Sequence, residues 1–138
     1  MDSCINVFIV EDSAILRERL DRTISDIPHV TIVGSADNAS GAIEQLTDTQ
    51  PDVIILDIHL RQSSGFQVLQ QVKSHTHSPC VIVLTNYSYP QYRAKYMQAG
   101  ADYFFDKSVE MDQMVQVIKT LAAQGPDAPQ RKDLGARL

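Results

Sequence analysis

The sequence has little that would mark a secreted, membrane-spanning or nucleic-acid-coating protein. Only two cysteines occur in 138 residues, Cys4 and Cys80, and they form no CxxC pair. Each opens an apolar run, as expected of reduced cysteines packed as small hydrophobes rather than of a disulfide framework. Positive charge is in deficit, with 12 Lys and Arg against 17 Asp and Glu and a formal net charge of −5. That balance argues against a broad electrostatic grip on nucleic acid or an anionic membrane. No apolar run approaches the ~20 residues needed to span a bilayer. The opening Met-Asp-Ser-Cys-Ile-Asn lacks the basic and long apolar segments of a secretory signal, so a soluble, cytoplasmic protein is expected. A glycine-rich phosphate loop is also missing after the first apolar run. Glu11-Asp12-Ser13 stands there instead, and its negative charge is hostile to bare phosphate.

What is present suits one compact domain: 43% hydrophobic and 21% charged residues, an ordinary globular mixture. Five short apolar runs recur: Ile5–Val10, Val30–Val33, Val53–Leu56, Cys80–Leu84 and Tyr103–Phe105. Most are rich in Val and Ile without clean alternation, which predicts strands buried on both faces. Helical patterns lie between them. Ser13 is placed to cap a helix carrying Leu16, Leu20 and Ile24, and Asn38 one carrying Ala42, Ile43 and Leu46 that Pro51 ends. Phe66, Leu69 and Val72 form a third stripe after Ser64 and Gly65. Pro90 opens a fourth helix that Gly100 closes, and Val115, Ile118, Leu121 and Ala122 mark a fifth. Alternating units of this kind predict an α/β, flavodoxin-like, doubly wound five-stranded parallel sheet of order 2-1-3-4-5 with helices on both faces. The domain is expected over residues 1–124. Residues 125–138, beginning Gly-Pro-Asp-Ala-Pro, read as a C-terminal tail or linker.

In such a fold, ligands bind at the carboxyl ends of the strands. Those ends carry Glu11-Asp12, Asp57, Thr85 and Lys107. Crowded carboxylates repel one another, and a hard divalent cation relieves the repulsion. Mg²⁺ prefers oxygen ligands and keeps positions open for phosphate oxygens, whereas Ca²⁺ wants a dedicated loop that is not visible here. A carboxylate beside Mg²⁺ can attack phosphorus, which makes Asp57 the expected acceptor. Lys107 and the Thr85 hydroxyl then neutralise equatorial phosphoryl oxygens. Each residue alone reads more simply as a cap, a turn or a solvated charge. Their shared position at the same end of successive strands favours a site.

The segments Val10-Glu11-Asp12-Ser13, Ile54-Ile55-Leu56-Asp57-Ile58-His59-Leu60 with Gly65 following, Val83-Leu84-Thr85, and Gly100-Ala101-Asp102-Tyr103-Phe104-Phe105-Asp106-Lys107 resemble the receiver domains of two-component response regulators over about residues 5–123. The resemblance implies phosphorylation of Asp57 by a histidine kinase or phosphotransfer protein. It implies a Mg²⁺ site with Asp12 as direct ligand, Glu11 acting through water and the His59 backbone carbonyl contributing. It also implies a switch in which Thr85 moves toward the phosphoryl group and Phe104 turns inward behind it, with Tyr103 pointing to the opposite face.

Three departures from that pattern stand out. Ser108 follows Lys107 where a proline is usual, and a cis bond before a non-proline residue costs about 2.5–4 kcal/mol, so a trans Lys107–Ser108 bond is expected. Arg61 replaces a common proline in the loop after Asp57, which is expected to be more mobile, with Arg61 solvated. Tyr87 and His59, each two positions past a site residue, are placed to flank the phosphoryl group and restrict water. His75 and His77 read as part of a solvated loop. Around the fourth helix, Tyr89, Tyr92, Arg93, Lys95, Tyr96 and Met97 suggest a contact for an unidentified output protein, or a homodimer through the face of helix 4, strand 5 and helix 5; the alternative is that the aromatics cover the sheet. The leading expectation is a signalling switch without turnover chemistry, with neither nucleic acid nor membrane as a direct partner. One alternative is a receiver excised from a longer DNA-binding regulator. Another is an Asp-nucleophile phosphohydrolase, which would want a second acid where His59 stands.

Overall fold

The computed structural model describes residues 4–74 and 78–125. The proposed tail beyond Gly125, the His75 and His77 loop and the first three residues lie outside them. Twelve elements follow in order: β1 Ile5–Val10, α1 Ala14–Ser25, β2 Val30–Ala36, α2 Ala39–Thr49, β3 Val53–Leu56, β4 His59–Leu60, β5 Ser63–Ser64, α3 Gly65–Lys73, β6 Cys80–Thr85, α4 Pro90–Gln98, β7 Tyr103–Asp106 and α5 Met111–Gln124. The main sheet has the order β2-β1-β3-β6-β7 with every pairing parallel. With the small antiparallel hairpin β4–β5 set aside, this is the expected 2-1-3-4-5 arrangement.

Successive side chains of β1 point to opposite faces, and both faces are covered, so its hydrophobic run is continuous. Phe8 and Val10 join Ile54, Leu56, Val81, Val83 and Phe104 beneath Ala42, Val68, Leu69 and Val72. Val7 and Ile9 join Ile55, Ile82, Leu84 and Phe105 against Leu20, Ile24, Met114 and Ile118. The helix starts follow the expected chemistry: the Leu16 N–H donates to Ser13 Oγ at 3.3 Å and the Gly41 N–H to Asn38 Oδ1 at 2.7 Å.

Four expectations need correction. β2 is not buried on both faces: Thr31 is exposed and Val30, Ile32 and Val33 are half-buried, because β2 is the sheet edge. It also continues past Val33 through Gly34. A register shift between Val7 and Phe8 sets Phe8 opposite Gly34, where a Cβ would meet the Phe8 ring at 2.8 Å. In α1, Leu20 and Ile24 are buried while Leu16 is only half-buried. In α5, Met114 takes the core position and Val115 is half-buried. The loop after Asp57 has local structure of its own. It folds as the β4–β5 hairpin, tied to the start of α2 by Ala39 N–H donating to Ser63 Oγ (2.9 Å) and Arg61 N–H to Asp37 O (3.0 Å).

Candidate functional site

The carboxyl ends of β1, β3, β6 and β7 meet at one rim. β1 pairs with β3 through Val10↔Leu56 and β6 with β7 through Thr85↔Asp106, so the residues just beyond these pairs are brought together. Glu11, Asp57 and Thr85 are the buried polar residues among those described. Asp12 stands exposed at the mouth. One oxygen from each of Glu11, Asp12 and Asp57 fits within a mutual separation of 4.8 Å.

Lys107 reaches into this group. Its Nζ lies 2.7 Å from Asp57 Oδ2 and 2.5 Å from Glu11 Oε1. The rest of each carboxylate is held by backbone: the Ile58 N–H donates to Asp57 Oδ1 at 2.7 Å and the Ser13 N–H to Glu11 Oε2 at 3.1 Å. Burial pushes the Glu11 carboxyl up, the bonds from Lys107 and Ser13 partly offset this, and the Asp57 charge adds to it. For Lys107, burial works against the ammonium, but the hydrogen bonds and charges of Asp57 and Glu11 outweigh it and raise the pKa. Among the described residues Lys107 is the cation ion-paired with these carboxylates, and one ammonium paired to a set of three leaves them in excess. All its donors are oxygens, as a hard cation requires. The residues therefore fit a divalent ion.

The Thr85 side chain is fully buried, and its Oγ1 accepts from the Tyr87 N–H at 3.1 Å. The Lys107 N–H donates to Thr85 O at 2.9 Å. Gly65 closes the floor: its N–H donates to Ile58 O at 2.8 Å, and a Cβ there would lie 2.2 Å from the Asp57 carbonyl oxygen. The His59 ring packs edge-on against Tyr87 with centroids 3.8 Å apart. No peptide bond is cis among the described residues, so the Lys107–Ser108 bond is trans.

Phe104 is buried on the α2, α3 and α4 side of the sheet, while Tyr103 packs with the opposite cluster. The Arg93 guanidinium carbon lies 4.9 Å from the Phe104 ring centroid. Tyr96 departs from its expected place on an exposed binding face. It is 1% exposed, wedged edge-on against Phe66 and Phe104, and burial pushes its phenol up to about 12. Tyr87, Tyr89 and Met97 remain exposed. Arg61 is largely solvated, with one long ion pair to Asp37 at 3.4 Å. The sequence reading gave no role to Asp106, which accepts from Ser88 and Ser108. The Asp-Lys-Ser spacing, which suits a side-chain-to-backbone turn, was the signal available.

The chain matches the response regulator receiver domain family over residues 7–119. It belongs to that family. It is 35% identical to the sensory transduction protein LytT of Enterococcus faecalis over 115 residues, which are 83% of this chain and 47% of LytT. It is 37% identical over 79 residues to a protein-glutamate methylesterase/protein-glutamine glutaminase of Nitrosospira multiformis, covering 57% of this chain and 22% of that enzyme. Among solved structures, it is similar to the signal receiver domain of a DNA-binding response regulator from Colwellia psychrerythraea, with a TM-score of 0.79, 25% identity, and coverage of 87% and 99% of the two chains. The chain thus spans about half the length of LytT. It is a receiver domain of the response-regulator kind, and its acidic cluster resembles the phosphorylation site of such domains. No helix among the described residues is long and apolar enough to cross a membrane.

Proposed function

We propose that Asp57 is the phosphoacceptor of a phosphorelay switch that works with Mg²⁺. The observation that carries this is the Lys107 ammonium bridging Asp57 and Glu11 at 2.7 and 2.5 Å beside exposed Asp12. An Asp57 carboxylate oxygen attacks the phosphorus of a phosphohistidine on a histidine kinase or phosphotransfer protein. The new P–O bond forms as the P–N bond breaks, and the leaving imidazole keeps the electron pair and takes a proton from water. Lys107 binds one equatorial oxygen and the Thr85 hydroxyl donates to another. Glu11, Asp12, Asp57 and the His59 carbonyl would hold Mg²⁺, which when bound neutralises charge on the phosphoryl oxygens. His59 and Tyr87, in edge contact, restrict the approach of water. Thr85 and Phe104 form the switch, and the exposed residues around α4 give the surface read by an output protein or a second copy. On this reading the protein is cytoplasmic, acts on its own carboxylate without turning over a separate substrate, and comprises a receiver over residues 1–124 followed by a tail.

The test is incubation with Mg²⁺ and acetyl phosphate followed by intact-mass measurement. Wild type gains one phosphoryl group and Asp57→Asn gains none; labelling of both moves the acceptor elsewhere. A second reading, a receiver cut from a longer DNA-binding regulator, is favoured by the 47% coverage of LytT and by the likeness to the receiver domain of the Colwellia DNA-binding response regulator. The boundaries of the encoding gene decide between them.

A further inference from the structure

Beside this rim, Asp106 bonds two loops and makes none of its hydrogen bonds to the three clustered carboxylates. Asp106 ends β7 directly opposite Thr85. Its Oδ2 accepts from Ser88 Oγ at 2.5 Å, across 18 residues of sequence. Its Oδ1 accepts from the Ser108 N–H at 2.8 Å and from Ser108 Oγ at 2.5 Å. Its own N–H donates to Glu110 Oε1 at 2.8 Å and its carbonyl accepts from the Glu110 N–H at 2.8 Å. Glu110 in turn lies 3.7 Å from Arg93 of α4, whose guanidinium covers Phe104. One side chain therefore clasps the loop that leaves Thr85 and the loop that leaves Lys107. The second clasp surrounds Lys107, because Asp106 and Ser108 are its two chain neighbours.

A lysine that must place its ammonium on two carboxylates needs a fixed backbone beneath it, since small displacements at a reacting centre cost rate steeply. Ser108 supplies no rigid ring to fix that backbone, and charge-assisted hydrogen bonds to a carboxylate are the stronger kind. We propose that Asp106 is a positioning residue for phosphoryl transfer: by binding Ser88 and Ser108 it locks the Thr85 and Lys107 loops together and holds the Lys107 ammonium on Asp57. This rests on Asp57 being the phosphoacceptor. The arrangement also gives Ser88 a distinct part, since it anchors only the Thr85 side of the clasp.

The experiment measures the initial rate of Asp57 phosphorylation by acetyl phosphate, by intact mass on the full chain, while donor and Mg²⁺ are varied separately. Asp106→Ala is expected to lower the maximal rate about tenfold while the half-saturating Mg²⁺ stays within about twofold of wild type, because Asp106 contacts none of Glu11, Asp12 and Asp57. Asp106→Asn keeps an oxygen for the Ser108 N–H and is expected to recover to within about threefold of wild type. Ser88→Ala, which leaves the Ser108 half intact, guards against a failure of Asp106→Ala to fold and is expected to slow transfer by about threefold. The inference is overturned by a wild-type rate in Asp106→Ala or, where that variant does not fold, by a wild-type rate in Ser88→Ala. Equal loss of rate and Mg²⁺ response, or an Asp106→Asn as slow as Asp106→Ala, overturns it too. A wild type that takes up no phosphoryl group at Asp57 removes the acceptor reading and this one together; normal wild-type labelling with an unaffected Asp106→Ala removes this one alone.

Discussion

Replacing Lys107 by methionine isolates what the ammonium contributes to the acidic rim. Methionine keeps an unbranched, flexible stem, so packing changes little while one full charge is lost. In the wild type, Nζ sits 2.5 Å from Glu11 and 2.7 Å from Asp57, and the Lys107, Glu11 and Asp57 side chains are 8%, 3% and 7% exposed. Water screens such a group weakly. Removing one partner of a buried ion pair costs about 3–5 kcal/mol, because the remaining charge stays buried without compensation. Here two carboxylates remain. Glu11, whose carboxyl burial already pushes upward, limits the penalty by taking up a proton, so the lower end, about 3 kcal/mol, is expected. At about 4 °C per kcal/mol for a domain of this size, Tm falls by about 12 °C. Thermal unfolding followed by circular dichroism, first in chelator and then in 10 mM Mg²⁺, is the assay. Mg²⁺ should raise the Tm of Lys107→Met more than that of wild type, because the ion no longer shares the site with an ammonium and ligand stabilisation grows as binding tightens. A Tm within about 2 °C of wild type in chelator, or a smaller Mg²⁺ gain than wild type shows, would refute the argument that Lys107 is the counter-charge of this cluster.

Three further outcomes are expected. Gly65→Ala drives a Cβ to 2.2 Å from the Asp57 carbonyl oxygen; the backbone must shift, at about 1–3 kcal/mol of stability, and Asp57 phosphorylation slows at least about tenfold, whereas wild-type Tm and rate would show that the contact is easily relieved. Tyr87→Ala removes the ring that lies 3.8 Å from His59 and is expected to change the rate at which phospho-Asp57 hydrolyses, followed by loss of the added mass, without abolishing phosphorylation; an unchanged rate counts against a water-restricting role. The Asp106 carboxyl is held below its ordinary value of 3.8 by the Ser108 side chain first, then by Ser88 and the Ser108 backbone. A depressed carboxylate stabilises the fold above its unfolded value and loses that contribution as pH falls through its folded value. The Tm gap between wild type and Asp106→Ala should therefore be full at pH 7 and close below about pH 4; a gap that is constant down to pH 2.5 contradicts the bonding described.

Much of the architecture was legible in the chain because it depends on local pattern. β1 and β3 have the limits their apolar runs suggest, Ser13 and Asn38 cap the helices they precede, and Pro90 opens α4 while Gly100 lies just past its end. The site was legible for a related reason: in a parallel sheet every strand points the same way, so residues at successive strand ends share one rim. Glu11, Asp57 and Lys107, from three different strand ends, could be grouped before any distance was known, and they lie in hydrogen-bond contact. Side-chain placement across elements was not legible. Tyr96 and Tyr89 are both tyrosines near one helix, yet Tyr96 is 1% exposed and Tyr89 57%, a difference set by how α4 rolls onto Phe66 and Phe104. β2 is half-solvated because it lies at the sheet edge, and the loop beyond Asp57 is shaped by ties to the start of α2. Sequence pattern determined which residues face a common rim, since strand direction and period suffice for that. Only the tertiary structure decided which loops bond to one another beside that rim, because the hydrogen bond from Ser88 to Asp106 joins groups 18 residues apart, and no local periodicity encodes the meeting of two loops.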